Sequence, residues 1–194
     1  MKYYIEITLN ENSEYNLFTL WSKVYQQIHI GLVEMQDEKG NVPIGISFPE
    51  YVNYERFNLL GSKIRLFANN LETLVQFDSK KRLEKLTEYL NFSEINQTPE
   101  IVKGYVQFQR EQPKINPERL ARRYAKRHNV EYEIALKTYE GLKKPNIKSP
   151  FIRLKSLSTA QVFCLWIQKN SVSEPKLGSF NSYGLSTSSS VPEF

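Results

Sequence analysis

The chain opens with a change of hydrophobic period, and no other feature limits its fold so strongly. Tyr3, Ile5, Ile7 and Leu9 alternate with Lys2, Tyr4, Glu6 and Thr8, the period-two pattern of a half-buried strand. Leu17, Leu20, Trp21, Val24 and Ile28 then recur at helical spacing, in an apolar stripe whose stop signal is Gly31. Val42 to Phe48 and Lys63 to Ala68 read as short strands joined by a polar loop. Leu71, Leu74, Leu83, Leu86 and Leu90 mark one or two helices. A last strand sets Val102, Val106 and Phe108 on one face and Lys103, Tyr105, Gln107 and Gln109 on the other. The succession is βαββαβ, so the expected class is α+β. A ferredoxin-like domain over residues 1–112 has two helices on one face of an antiparallel sheet and leaves the other face free.

After Pro113 the texture changes, and residues 113–194 are expected to form a second region. It holds a basic helix, a helical stretch from Glu131 to Leu142, and β-like runs at Phe151 to Leu157 and Val162 to Gln168. With 40% of its 194 residues apolar, the chain can bury a core of this size. Cys164 is the single cysteine and has no partner for an internal disulfide. Met1 to Leu9 carries charges where a secretory signal would be apolar, and no stretch approaches the roughly 20 apolar residues of a membrane span. A cytoplasmic protein with no membrane partner is expected.

Net charge is only +5, but its placement is uneven. Residues 110–155 hold 13 of the 26 Lys and Arg against 5 of the 21 Asp and Glu, a net of +8. Asn116-Pro117-Glu118 makes a good helix start, with Asn as cap, Pro in the first turn and an acid near the positive end of the dipole. Beyond it, Arg119, Arg122, Arg123, Lys126 and Arg127 fall at i, i+3, i+4, i+7 and i+8, all on one face. Like charges so spaced repel by a few tenths of a kcal/mol per pair, and a phosphate backbone relieves that repulsion. A face cationic along its whole length differs from the usual major-groove readers of DNA, which points to folded RNA.

Of the two histidines, His128 closes the basic helix and is read as structural. His29 sits on the flank of the first helix's apolar stripe, where an imidazole can reach solvent. Imidazole titrates near neutrality but needs partners to do chemistry, and the sequence alone names none for it. No cluster has metal-ligand spacing and no Gly-rich phosphate loop is present, so neither metal nor cofactor is expected.

Several segments together resemble one family over nearly the whole length. They are Ile28-His29, Ile44-Gly45-Ile46-Ser47-Phe48-Pro49, Asn116-Pro117-Glu118-Arg119-Leu120 with its continuation to Arg127-His128, Leu154-Lys155-Ser156-Leu157-Ser158-Thr159, Ser182-Tyr183-Gly184-Leu185-Ser186, and Val191-Pro192-Glu193-Phe194. Their order is similar to that in the CRISPR type I-F repeat-processing endoribonucleases. The resemblance implies that His29 is the catalytic histidine, that Ser156 fixes the attacking ribose 2′-hydroxyl, and that Tyr183 orients the histidine. It implies RNA contacts from Arg119, Arg122, Arg123, Lys126, Arg127, Lys155 and Ser158, a base read by Gln107, and a stem end stacked on Phe163. Tyr105 stands where the family commonly has an arginine, Gln109 shares the face of Gln107, and Lys126 replaces an arginine.

The implied reaction is metal-independent attack of a 2′-oxygen on its own 3′ phosphate at the base of a repeat hairpin, giving a 2′,3′-cyclic phosphate. The enzyme is then expected to stay on the guide RNA beside other subunits of the type I-F surveillance complex. The competing readings are a catalytically inert hairpin-binding subunit of that complex and, more distantly, a DNA-binding regulator.

Overall fold

The computed structural model describes all residues except 13, 55–56, 113–116 and 143–146. In chain order its strands and helices are β1 (Tyr3–Leu9), α1 (Leu17–Glu34), β2 (Gly45–Ser47), β3 (Val52–Asn53), β4 (Asn58–Leu59), β5 (Lys63–Ala68), α2 (Leu71–Phe77) and α3 (Ser79–Arg82). A 3-10 turn (Glu84–Tyr89) leads into β6 (Leu90–Phe92) and β7 (Asn96–Gln97). Then come β8 (Gly104–Glu111), α4 (Pro117–His128), α5 (Tyr132–Thr138), β9 (Phe151–Lys155), β10 (Val162–Val172) and β11 (Val191–Glu193). By compactness they form two units, residues 1–110 with 149–194, and residues 111–148. The second unit starts at Glu111, and residues 149–194 return to the first.

In the larger unit, one sheet has the order β2-β5-β1-β6, with β7 beside β1, and its pairings are antiparallel. The alternation in β1 is met: Ile5, Ile7 and Leu9 are buried. The βαββαβ succession is present as well, but β6 supplies its last strand. The expected closing strand, β8, belongs to a second sheet of order β11-β8-β10-β9. One apolar core joins α1, through Leu20, Val24 and Ile28, to Ile7 and Leu66 of the first sheet and Phe108, Ile152 and Leu165 of the second. Nor is the far face of the first sheet free. The Phe194 ring packs edge-on to Tyr4 at 5.0 Å, and Arg65, paired with Glu6 at 2.7 Å, donates to the Phe194 carbonyl at 2.8 Å.

Gly31 does not stop α1. The helix starts at its cap, Asn16, whose side chain accepts from Thr19 N at 2.9 Å, and runs on to Glu34. Gly31 instead admits the Arg82 side chain, since a Cβ there would lie 2.6 Å from Arg82 Cδ. Among the leucines downstream, α2 and α3 are short, and Leu86 lies in the 3-10 turn.

In the smaller unit, Arg119, Arg122, Arg123, Lys126 and Arg127 are all exposed on α4, while Ala121 is buried. Asn116, the expected cap, lies outside the described residues. Tyr124 packs on His128 at 4.2 Å and edge-on to Tyr139 at 6.1 Å, so His128 is a packing residue of its helix. Asn129, at φ 53°, turns the chain out of α4. The second helix is shorter than expected and ends at Thr138.

Candidate active site

Tyr25 and His29 are one turn apart on α1, so both point from one side of the helix. They meet a tight turn at residues 181–185. The Tyr25 hydroxyl donates to the Tyr183 carbonyl at 2.8 Å, and His29 Nδ1 lies 2.7 Å from the Ser182 carbonyl. A carbonyl only accepts, so Nδ1 carries the proton in this contact, and in the neutral imidazole Nε2 is the nitrogen with the lone pair. The imidazole also stacks on the Tyr183 ring, with centroids 4.3 Å apart and planes 9° from parallel. One contact thus fixes the tautomer and the other fixes the plane of the ring.

The turn is itself held from several sides. Asn181 Oδ1 accepts from Tyr183 N at 2.9 Å and from Leu185 N at 3.3 Å, and Ile46 N donates to the Gly184 carbonyl at 2.9 Å. Gly184 has φ 68°, and a Cβ there would come within 2.6 Å of the Ile46 side chain, so both conformation and space call for glycine. Tyr25 is fully buried. Burial first, and the neighbouring Tyr183 second, push its phenol well above the ordinary value, which keeps it a neutral donor.

Phe163 of β10 is half-buried and meets Tyr183 edge-on at 6.4 Å. The Arg110 guanidinium lies over both rings, 5.4 Å from the Phe163 centroid and 5.6 Å from that of Tyr183. Arg110 Nε is buried and, among the described residues, unpartnered. His29, Tyr183, Phe163 and Arg110 therefore form one cluster, an imidazole beside two aromatic faces and a cation. Sequence reasoning missed Tyr25 and Arg110. Tyr25 was not singled out, although its place four residues before His29 was visible. Arg110 was absorbed into the general positive charge of the region.

The other expected residues are placed differently. Ser156 sits in the turn between β9 and β10, where its Oγ is 3.2 Å from Ser158 Oγ and accepts from Thr159 N at 3.3 Å. Lys155 has an exposed side chain, and its backbone N–H donates to Gln26 Oε1 at 2.9 Å. Gln107 is 6% exposed, with its amide directed to the Thr187 carbonyl at 3.4 Å, because β8 is covered on both faces. The expectation of a free polar face carrying Gln107 is thereby corrected. Gln109 is half-buried and donates to Gln168 Oε1 at 2.6 Å. Among the described residues no group of three or more His, Cys, Asp or Glu gathers as a metal site would, and no helix is long and apolar enough to cross a membrane.

Comparison with known proteins gives consistent names. Residues 4–194 match the family described as CRISPR-associated protein (Cas_Csy4). Two proteins called CRISPR-associated endonuclease Cas6/Csy4 align over the full length of both chains. The one from Escherichia coli (strain UTI89 / UPEC) is 31% identical, and the one from Pseudomonas aeruginosa (strain UCBPP-PA14) is 33% identical. A solved structure described as an RAMP protein binding different RNA substrates covers 98% of this chain and 99% of its own, at 13% identity and a TM-score of 0.36, too remote to carry an argument.

Proposed function

Because the chain belongs to the CRISPR-associated Cas_Csy4 family, we propose that it is an endoribonuclease that cuts CRISPR repeat RNA at the base of a hairpin without a metal ion. The observation that carries this reading is His29, fixed by Ser182 and Tyr183 with Nε2 free to take a proton. Nε2 takes the proton of a ribose 2′-hydroxyl, the 2′-oxygen bonds to the adjacent phosphorus, and the bond to the 5′-oxygen breaks. The leaving 5′-oxygen takes a proton from water and the imidazolium returns its own to solvent, so the products are a 2′,3′-cyclic phosphate and a 5′-hydroxyl. General base action contributes about 10² to 10⁴ in rate, and in-line positioning supplies the rest.

Ser156 holds the ribose by exchanging the bonds inside its own turn for one to the 2′-hydroxyl, with Lys155 and Ser158 against the neighbouring backbone. Phe163 supports the last base pair of the stem, a contact worth on the order of 1 to 3 kcal/mol for any base. Arg119, Arg122, Arg123, Lys126 and Arg127 meet stem phosphates. Gln107 reads a base by exchanging its long bond to the Thr187 carbonyl for one to the RNA. The first sheet with α1 and α2 is the ferredoxin-like part of this arrangement. Contacts to the stem survive the cut, so the protein stays on its product and sits with it among the subunits of a type I-F complex.

The test is cleavage of the repeat hairpin in EDTA, beside a substrate whose single ribose upstream of the cut is replaced by 2′-deoxyribose. The unmodified RNA is cut at an undiminished rate and the deoxy substrate is left whole. Cutting of the deoxy substrate would mean that water attacks, and the role of His29 as base for an internal hydroxyl would fall.

A further inference from the structure

We propose that a second basic surface, a groove between α1, α3 with the following turn, and the β9–β10 hairpin, holds the RNA strand that leaves the cut on its 3′ side. The proposal rests on the function proposed above. The groove is about 590 Å³, the size of a ligand site. One stripe of α1 forms its floor, with Thr19, Ser22, Lys23, Gln26 and Gln27 at i, i+3, i+4, i+7 and i+8. All of these elements lie in the larger unit, whereas the basic helix α4 belongs to the smaller.

Its charge is one-sided. Lys23, Lys81, Lys85, Arg153 and Lys155 line it, all with exposed side chains, and among the described residues none of the five is in a salt bridge. Arg82 also lines it, but its charge is met by Glu34 at 2.7 Å. The one acidic side chain in the lining is Glu84. Cations brought from a helix, a turn and a strand into one concavity repel one another, and a chain of phosphates relieves all of them at once. A basic groove that tracks a backbone is how single strands are held without regard to sequence. Gln26 adds a polar element: its Oε1 accepts from Lys155 N, and its buried Nε2 is without a partner among the described residues.

Direction follows from where the groove ends. Lys155 precedes Ser156, Val162 precedes Phe163, and Gln26 is about one turn before His29 on α1, so the lining of the groove is continuous in the chain with residues of the proposed cutting site. The stem lies against Phe163 and delivers the nucleotide whose 2′-oxygen attacks. What continues away from the stem is the strand on the far side of the scissile phosphate.

The experiment uses the full chain and three uncleavable 2′-deoxy hairpins. One ends a single nucleotide past the cut, one is longer by about six nucleotides on the 3′ side, and one is longer by the same length on the 5′ side. At low salt the 3′-extended RNA binds about tenfold more tightly than the short one, with a log–log salt slope steeper by about 0.7 for each phosphate held. The double variant Lys81→Ala, Lys85→Ala loses that advantage and binds the short hairpin as the wild type does. Equal gain from a 5′ extension, no gain from either, or a gain that survives the double variant overturns the proposal, while cleavage of the short ribose hairpin still upholds the function. A short ribose hairpin neither bound nor cut would overturn both.

Discussion

His29 stands on a helix of 18 residues, seven of them buried, whereas the five cations of α4 stand on a helix of 12 residues with one buried, Ala121. The first helix runs through the main core. The second has a tyrosine, a histidine and an alanine to pack with. In the function proposed, the two regions do different work with different tolerances. Proton transfer needs a nitrogen placed to within a fraction of an ångström, and an error of about 1 Å costs on the order of 10² in rate. Attraction between guanidinium groups and phosphates falls off slowly with distance and accepts many geometries. A dense core under the base and a light scaffold under the cations is the economical division.

The sharpest way to break this contrast is His29→Ala. Cleavage measured in a single turnover falls by at least about 10² to 10⁴, while hairpin affinity stays within a few-fold, because a general base acts mainly on the transition state. A parallel loss of affinity would show that the two regions are not separable. Tyr25→Phe is a milder probe, since it keeps the ring and removes only the donor to the Tyr183 carbonyl. It costs about 1 to 3 kcal/mol of stability, seen as a fall of several degrees in thermal melting, and cleavage slows because Tyr183 loses its anchor. Wild-type melting and rate would mean that Asn181 and Ile46 hold the turn alone. The smallest structural effect belongs to Arg123→Ala and Arg127→Ala. Each changes stability by no more than about 0.5 kcal/mol, yet flattens the salt dependence of hairpin binding by about one contact. Gel-shift titrations across salt concentrations check this, and unchanged slopes would place the basic face away from the RNA.

What was legible in the sequence follows from the range over which each feature is decided. β1 could be read because one face is buried and alternation records that directly. α1 could be read for the same reason, although Gly31 misled: a glycine that admits Arg82 looks like a glycine that ends a helix. The closing strand of the first sheet was misassigned because periodicity reveals a strand but not its neighbours. β6 has three residues, too few to alternate visibly, and follows leucines that read as helix. β8 was longer and cleaner, yet its partners are β10 and β11. Burial of Gln107 follows from that same second sheet. The site was less legible still. Nothing near His29 in sequence identifies its partners, because Ser182 is 153 residues away and only resemblance to a family pointed to Tyr183.

That separation also sets an order in time. Ribosomal synthesis completes residues 111–148 before residues 180–185 exist, so α4 and α5 can form while His29 still lacks its carbonyl acceptor and its stacking ring. The residues of the cationic helix are therefore made before the carbonyl and the ring that orient the imidazole. On the function proposed, the side chains that hold the RNA are made before the turn that orients the base acting on it.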